Sequence, residues 1–216
     1  MSRWILGVDT TSEHGSLALL RDDELVDEVP VHAPKGFAQV LYGHLAELLA
    51  RHALKTGDID CFAAASGPGS FTGVRVGLAC VKGLAEAVGR PAVGVSNLQA
   101  IASFGSAPLR AAVLDARRGE VYGAVYDAGS RLVSPEVVAP FNAWIDVLPE
   151  GELDFVTWGF APPLAGTRFE QAAVRMAPTA LAGAIARLAS RAEPRDPATL
   201  DANYVRRSDA ELLWKE

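Results

Sequence analysis

The sequence predicts an α/β fold that is built from two similar halves. Short apolar runs recur along the chain and end at Gly, Pro or Asp, which is typical of buried strands. Longer segments with apolar residues three and four positions apart indicate helices. The order of these strands and helices recurs after a Gly/Ser/Pro stretch at residues 105–108, and this repetition predicts a duplicated fold.

The first half is predicted to run strand, strand, strand, helix, strand, helix, and then to add a strand and a short helix. The strands are expected at residues 4–8, 16–20, 24–29, 60–65 and 92–95. The long helices are expected at residues 36–54 and 71–88 because both segments carry apolar side chains at helical spacing. The short helix follows Ser96, which forms a capping box with Gln99.

The second half repeats this order. Its strands are expected at residues 111–114, 121–126, 131–138 and 153–158, and its helices at residues 141–148 and 179–192. Asp9 and Asp115 hold equivalent places, since each ends the first strand of its half. We therefore predict one unit in residues 1–105 and a second unit in residues 106–216. Two βββαβα halves are typical of the actin/Hsp70-like (ASKHA) architecture, a duplicated ribonuclease-H-like fold.

Charge and composition exclude several classes of function. The 216 residues carry 26 acidic and 20 basic side chains, a net charge of −6, so the chain lacks the basic footprint of a protein that binds nucleic acid alone. Residues 187–216 hold six basic and six acidic side chains, and we expect weak or no tRNA binding by the isolated protein. No signal peptide and no apolar run of membrane length is evident, so we expect a cytoplasmic protein without membrane association.

The cysteines do not indicate a disulfide framework or a zinc site. Cys61 and Cys80 lie in apolar runs, and we expect both to be small buried hydrophobic residues. The sequence contains no CxxC motif and no cluster of histidines along the chain, so no metal is expected.

The first informative segment ends the first strand. Asp9, Thr10 and Thr11 place a carboxylate and hydroxyl groups at the tip of that strand. In actin-like ATPases such a tip faces the nucleotide phosphates, and the Asp organises Mg²⁺ and water. In the alternative interpretation, these side chains form hydrogen bonds with the backbone of their own turn.

The second segment, residues 66–77, is a glycine-rich loop that opens into a helix. Free N–H groups at the start of that helix form a candidate anion site, to which Ser70, Thr72 and Arg75 would contribute. The segment is not a Walker A loop, because no Gly-Lys-Ser/Thr sequence follows.

The helix predicted at residues 71–88 is small or apolar nearly all round, so it must be covered on more than one side. The cover comes either from this chain or from a partner subunit. Gly73 and Gly77 lie four residues apart and leave a groove in which another helix could rest. If the groove faces a partner, Gly77→Leu weakens association; if it faces the protein's own sheet, the variant loses thermal stability instead. The predicted partner-binding residues on the two long helices are Phe37, Leu41, Leu45, Gly73, Val76, Gly77, Cys80 and Leu84.

The third segment, residues 115–122, predicts a hairpin turn with Gly119 at the position where positive φ favours glycine. Its clustered charges either pair with one another at the surface or serve a cleft. In the second interpretation, Asp115, Arg117 and Glu120 lie at the mouth of a cleft opposite Asp9.

Together these segments resemble the TsaB (YeaZ) family over essentially the whole chain. The strings that carry the resemblance are residues 5–12, the Gly-Pro-Gly-Ser-Phe-Thr-Gly string at residues 67–73, and residues 74–84, 94–98, 115–122 and 202–206. The resemblance implies a non-catalytic subunit of tRNA threonylcarbamoyladenosine biosynthesis that binds and activates the related transferase TsaD. It further implies a larger complex with a TsaE-like ATPase, a homodimer in the absence of TsaD, and only indirect contact with tRNA.

The resemblance does not extend to the TsaD metal site. TsaD binds metal through two histidines on its first helix, whereas His44 and His52 are eight residues apart here, about 12 Å of helical rise. No cofactor is therefore expected. Phe37 and Ala38 stand where many TsaB sequences have a His-Ser pair, which adds bulk to the expected interface.

Two other functions remain as alternatives. An active ATPase or kinase of the same fold would use Asp9 and Asp115. A peptidase of the glycoprotease type is weaker, because the sequence offers no convincing Ser-His-Asp set.

Overall fold

The computed structural model of the protein describes residues 3–205. Within them the chain forms two compact units, each with one five-stranded sheet. The first unit comprises the chain up to Asn97 together with Thr179–Asn203, and the second comprises Leu98–Pro178. The predicted α/β class and duplicated strand order are confirmed. In the described part of the chain, no helix is long and apolar enough to cross a membrane.

Strands and helices are numbered in chain order. The strands are β1 (Trp4–Asp9), β2 (His14–Arg21), β3 (Glu24–His32), β4 (Cys61–Gly67), β5 (Ala92–Ser96), β6 (Leu109–Arg117), β7 (Glu120–Asp127), β8 (Leu132–Pro140), β9 (Leu153–Thr157) and β10 (Val174–Met176). The α-helices are α1 (Leu41–Arg51), α2 (Phe71–Val88), α3 (Asn97–Ala102), α4 (Phe141–Asp146) and α5 (Ala182–Arg191). Short 3₁₀ helices span Thr56–Asp58 and Pro197–Thr199.

The first sheet has the order β3-β2-β1-β4-β5, with β1 antiparallel to β2 and parallel to β4. Successive residues of β1 point to opposite faces of this sheet. Leu6 and Val8 join the apolar cluster that α1 and α2 complete. A side chain added at Gly7 would instead collide with the backbone oxygen of Ala182 in α5. Helices therefore cover both faces of the first sheet.

The side chains of β2 and β3 hold the start of α5. The Ser16 hydroxyl accepts hydrogen bonds from the N–H groups of Leu181 (3.0 Å) and Ala182 (2.8 Å). Glu28 Oε1 accepts one from the N–H of Gly183 (2.9 Å). These bonds satisfy N–H groups that a helix leaves free at its start, and the Glu28 carboxylate complements the positive end of the helix dipole. The helix is thus fixed to the first unit.

The second sheet has the order β10-β9-β6-β7-β8, in which β6 is antiparallel to β7 and parallel to β9. Its core is aromatic. The Phe155 ring lies edge-on to Trp144 (6.3 Å between centroids) and to Phe169 (5.5 Å). Phe141 and Trp144 of α4 are buried in this core, so α4 fixes one face of the sheet.

Three details differ from the sequence predictions. α1 begins at Leu41 rather than at residue 36, because the preceding residues form turns and Gly36 has φ = +89°. The short exposed strand β10 was not predicted. The boundary predicted between residues 105 and 106 is corrected: the first unit ends at Asn97, and residues 179–203 return to it.

Candidate functional site

The tip of β1 is closed by hydrogen bonds within the chain. Asp9 is 2 % exposed, and its Oδ1 accepts hydrogen bonds from the N–H (3.0 Å) and the hydroxyl (2.7 Å) of Thr11. Asn97 donates to Asp9 and to the Thr11 hydroxyl (2.7 Å), and its own oxygen accepts from the N–H of Gly67 (3.0 Å). Burial raises the pKa of Asp9, and the bonds from Thr11 and Asn97 offset only part of that effect. The structure therefore favours the interpretation in which this segment braces its own turn.

The glycine loop, residues 67–70, is tied to the same strand tip. The N–H of Ser70 donates to the carbonyl of Thr11 (2.7 Å). The Thr10 hydroxyl donates to the carbonyl of Gly73 (2.7 Å) in the first turn of α2. Thr10 and Thr11 are both buried. The Thr10 hydroxyl holds α2 and the Thr11 carbonyl holds the glycine loop, while the anion-binding role of these two residues stays a prediction.

The two glycines of the predicted groove face their own sheet. A Cβ added at Gly73 would overlap the backbone oxygen of Thr10, and one at Gly77 would lie 2.5 Å from the Thr10 hydroxyl oxygen. Real Cβ atoms do not approach other atoms this closely. Gly73 and Gly77 therefore allow α2 to approach β1, which corrects their assignment to a partner interface.

Most of the other predicted interface residues are also occupied within the chain. The buried ones, each at most 4 % exposed, are Phe37, Leu41, Leu45 and Cys80. Val76 and Leu84 are partly buried and pack against the same core. The prediction that Cys61 and Cys80 are buried is confirmed. These side chains attach α1 and α2 to the sheet, and the part of Val76 and Leu84 in a partner interface stays a prediction.

The exposed residues of α1 and α2 form what we call the outer face. It includes Tyr42, Gly43, Phe71, Ala79 and Gly83. Tyr42 is 58 % exposed and Phe71 47 %. The Tyr42 hydroxyl donates to the sulfur of Cys80 and so links the two helices, while burial raises the pKa of Cys80 to about 11. Among the described residues, a Cβ added at Gly43 or Gly83 would meet no atom within 4 Å.

The start of α2 is exposed. The Ser70 hydroxyl oxygen caps the helix by accepting from the N–H of Gly73 (3.3 Å). The Arg75 guanidinium lies over the Phe71 ring, 3.4 Å from its centroid. Ser70 and Arg75 thus have contacts inside the chain, and the proposed anion site, which also includes exposed Thr72, stays a prediction.

A C-terminal strap, residues 196–203, lies over α2 and the glycine loop. Lys82 Nζ donates to the carbonyl of Leu200 (2.8 Å), and the N–H of Asn203 donates to the carbonyl of Ser66 (2.7 Å). The Leu200 side chain is buried in the core beside α2. This role was not predicted, because such a short, largely irregular segment has no apolar periodicity. The Arg206 of the family-like ending, and the charges of the tRNA prediction from Arg206 onward, lie outside the described residues.

The second unit carries the predicted hairpin. Arg117, Arg118 and Gly119 all have positive φ (+68°, +57° and +77°), and Asp115 Oδ1 accepts from the N–H of Arg117 (2.7 Å). The predicted turn at Gly119 is confirmed. Asp115 is exposed and belongs to a different unit from Asp9, and the cleft proposed for Asp115, Arg117 and Glu120 stays a prediction.

The helical histidines have separate acidic neighbours. His52 Nε2 lies 2.8 Å from Asp27 Oδ2, and His44 Nδ1 lies 3.8 Å from Glu47 Oε2. In residues 3–205, the one group with the spacing of a metal site is Glu13, His14 and His32, which lies on the β2–β3 pair rather than on α1.

Two units, each with the order βββαβ and a five-stranded mixed sheet, define a duplicated α/β protein of the actin/Hsp70-like class. The solved structure of YeaZ from Pseudomonas aeruginosa is similar to this chain. Its TM-score is 0.76 and its sequence identity 26%, over 94% of this chain and 99% of that one.

Sequence comparisons narrow this class to one family. The model of the family described as TsaD, tRNA N6-adenosine threonylcarbamoyltransferase, matches residues 26–156. The tRNA threonylcarbamoyladenosine biosynthesis protein TsaB of Bacillus subtilis is 29% identical over 98% of each chain. TsaB of Escherichia coli is 36% identical over 56% of this chain and 54% of its own length. The chain belongs to the TsaB (YeaZ) family.

Proposed function

We propose that this protein is a scaffold subunit in the biosynthesis of tRNA threonylcarbamoyladenosine, which binds a TsaD-like transferase and activates it without catalysing a reaction itself. The name of the Bacillus subtilis relative supports the pathway, because the two chains align over 98% of each. The match to the TsaD family model supports a transferase of related fold as the partner. A TsaE-like ATPase would join the complex, and we expect the protein in the cytoplasm.

The closed tip of β1 is the observation that speaks most strongly against an ATPase. A carboxylate that organises Mg²⁺ must be ionised and open to water. Asp9 is buried, its pKa is raised, and it accepts hydrogen bonds from Thr11 and Asn97. A metal could replace these donors only if the turn were rebuilt. The tip therefore supports a structural role in a protein whose function is to bind a partner.

The outer face is the surface at which we expect the TsaD-like partner to bind. Glycine inside a helix costs about 1 kcal/mol relative to Ala. Packing within residues 3–205 does not account for Gly43 and Gly83, because an added Cβ would meet no atom at either position. A partner helix that approaches α1 and α2 closely would account for both. Without TsaD, we expect the same face to form a two-fold homodimer, since two-fold symmetry is the commonest closed arrangement.

Replacement of Gly83 tests this surface. Gly83→Leu would place a bulky group between the helices, and overpacking of about 1–3 kcal/mol weakens TsaD binding roughly 5- to 150-fold. The melting temperature of the isolated chain should not fall, because the space around Gly83 is open. Affinity can be measured by calorimetry against TsaD from the same organism.

Gly57→Leu is the matched control. Gly57 is exposed, has equally open surroundings, and lies outside both helices. TsaD should bind this variant like the unaltered protein. Equal affinity for the Gly83 and Gly57 variants would remove the outer face from the interface.

A further inference from the structure

Three metal-ligating side chains meet on the β2–β3 pair. His14 and His32 are direct partners in the antiparallel register. The N–H of Ala33 donates to the carbonyl of Glu13 (2.8 Å), which makes the neighbouring pair, His14 and His32, a non-hydrogen-bonded pair. Side chains of such pairs are the closest across two strands. The sheet backbone thus fixes two imidazoles side by side.

The side chains of the three residues lie close to one another. The rings of His14 and His32 are stacked, with centroids 4.5 Å apart and an angle of 13° between their planes. Glu13 Oε1 lies 3.6 Å from His14 Nε2. One ligand atom from each of the three residues lies within 4.8 Å of the other two. Two imidazole nitrogens and one carboxylate oxygen therefore lie close enough together for side-chain rotation to bring them onto one ion.

We propose that Glu13, His14 and His32 bind a divalent cation of the zinc class. Imidazole suits zinc and its neighbours in the first transition row, and two His with one Glu is a known ligand set that leaves a fourth position for water. Zn–N bonds of about 2.0–2.1 Å place tetrahedral nitrogens roughly 3.4 Å apart, so the stacked rings must tilt out of their parallel arrangement until one nitrogen of each points at the ion. Rotation about the side-chain bonds provides this, because Glu13 and His32 are exposed and His14 is half-buried.

The site is separate from the pair formed by His44 and His52. Glu13 and His14 are separated from His32 by the whole β2–β3 hairpin, so spacing along the chain does not reveal them. His44 and His52 lie on and just after α1, each with its own acidic neighbour. His44 therefore provides a matched control, as a partly exposed histidine beside a glutamate.

The test is a zinc titration of the full-length chain without an affinity tag, after chelator treatment, by calorimetry. We expect one Zn²⁺ per chain. Removal of a residue that hydrogen-bonds to a metal ligand typically lowers metal affinity roughly 10- to 100-fold. Loss of a ligand itself, in His14→Gln or His32→Gln, should lower the zinc affinity by at least as much. The His44→Gln variant should bind like the unaltered protein. Co²⁺ should give the visible absorption of a low-symmetry site, and the His32→Gln variant should lose it.

Other results would overturn the proposal. Unchanged zinc affinity in both His14→Gln and His32→Gln would place the ion elsewhere. One ion per two chains, with a shift to dimer in sedimentation, would show a site between copies rather than within one chain. Circular dichroism checks that each variant is folded. If a histidine variant does not fold, Glu13→Gln takes its place, because Glu13 is exposed and lies outside the strand.

Discussion

Two buried aspartates, one in each unit, have opposite electrostatic environments. Asp9 and Asp154 are each 2 % exposed. Burial raises the pKa of Asp9, whose hydrogen-bond donors, Thr11 and Asn97, are neutral and which also feels the negative charge of Glu28. Equal exposure therefore does not give these two carboxyl groups the same ionisation behaviour.

At Asp154, burial also raises the pKa, but hydrogen bonds and charge outweigh it. The N–H groups of Ser106 (2.8 Å) and Ala107 (3.2 Å) and the guanidinium of Arg175 (2.8 Å) all donate to Asp154 Oδ2. Together they lower the pKa of Asp154 below its ordinary value. The surroundings of Asp154 thus favour its ionised form, whereas the burial of Asp9 disfavours its charge. This difference supports a strand tip that serves the fold rather than a metal ion.

Asp154→Asn should have the largest effect on stability. It removes the charge that faces Arg175 and places an amide in a site built for an ionised carboxylate. Loss of a buried ion-pair partner costs about 3–5 kcal/mol, and we take the low end because Arg175 is partly exposed. At about 2–4 °C per kcal/mol, the melting temperature should fall by roughly 6–12 °C. Calorimetry at neutral pH measures this, and a fall of less than 2 °C would contradict the account.

Gly77→Leu should have the next largest effect, because it disturbs the strand tip that holds Asp9. The new side chain would meet the Thr10 hydroxyl, and overpacking costs about 1–3 kcal/mol, or roughly 2–12 °C. Gly83→Leu, at an exposed position of α2 with open surroundings, should cause no such loss. Equal melting temperatures for the two variants would show that the inner side of α2 is not packed against β1 as described.

The smallest expected effect is a change in the pH dependence of stability. For a group with a raised pKa, the folded state prefers the protonated form, so its stabilisation is present below the unfolded pKa and is lost as pH rises through the folded pKa. Asp9 should therefore contribute a stability that declines above about pH 4. Asp154, whose pKa is lowered, should contribute a stability that is lost as pH falls below about 4.

Difference curves separate these two contributions from those of the other carboxylates. Unfolding free energies from urea titrations can be compared between the unaltered protein and Asp9→Asn across about pH 3–7. Relative to the unaltered protein, Asp9→Asn should become more stable as pH rises. Asp154→Asn should show the reverse. The same sign in both variants would invalidate the comparison of the two sites.

Local sequence patterns predicted most of the strands and helices, because periodicity and caps are local properties. α2 occupies the predicted residues since Ser70 caps its start and Gly89, with φ = +63°, ends it. α1 was predicted five residues too long at its start. Phe37 fits the helical apolar spacing, yet it packs from a turn, and a side chain at Gly15 would collide with its ring. The spacing of apolar residues indicates which side chains are buried, but a buried side chain can also belong to a turn.

Long-range pairing determined what the sequence could not predict. The glycine loop was evident, but whether Gly73 and Gly77 face a partner or the sheet depends on Thr10, more than sixty residues earlier. The place of α5 in the first unit depends on Ser16 and Glu28 in the same way. No periodicity of a single segment encodes such contacts.

We propose that this protein acts through a binding surface and not through Asp9. The most direct test is TsaD-dependent threonylcarbamoyl transfer to tRNA, assayed with Asp9→Asn and Gly83→Leu side by side. We expect Asp9→Asn to support transfer at a rate close to that of the unaltered protein, and Gly83→Leu to support it only at concentrations roughly 5- to 150-fold higher. Loss of transfer in a folded Asp9→Asn variant, together with full transfer by Gly83→Leu, would contradict the account and favour an active nucleotide site at the tip of β1.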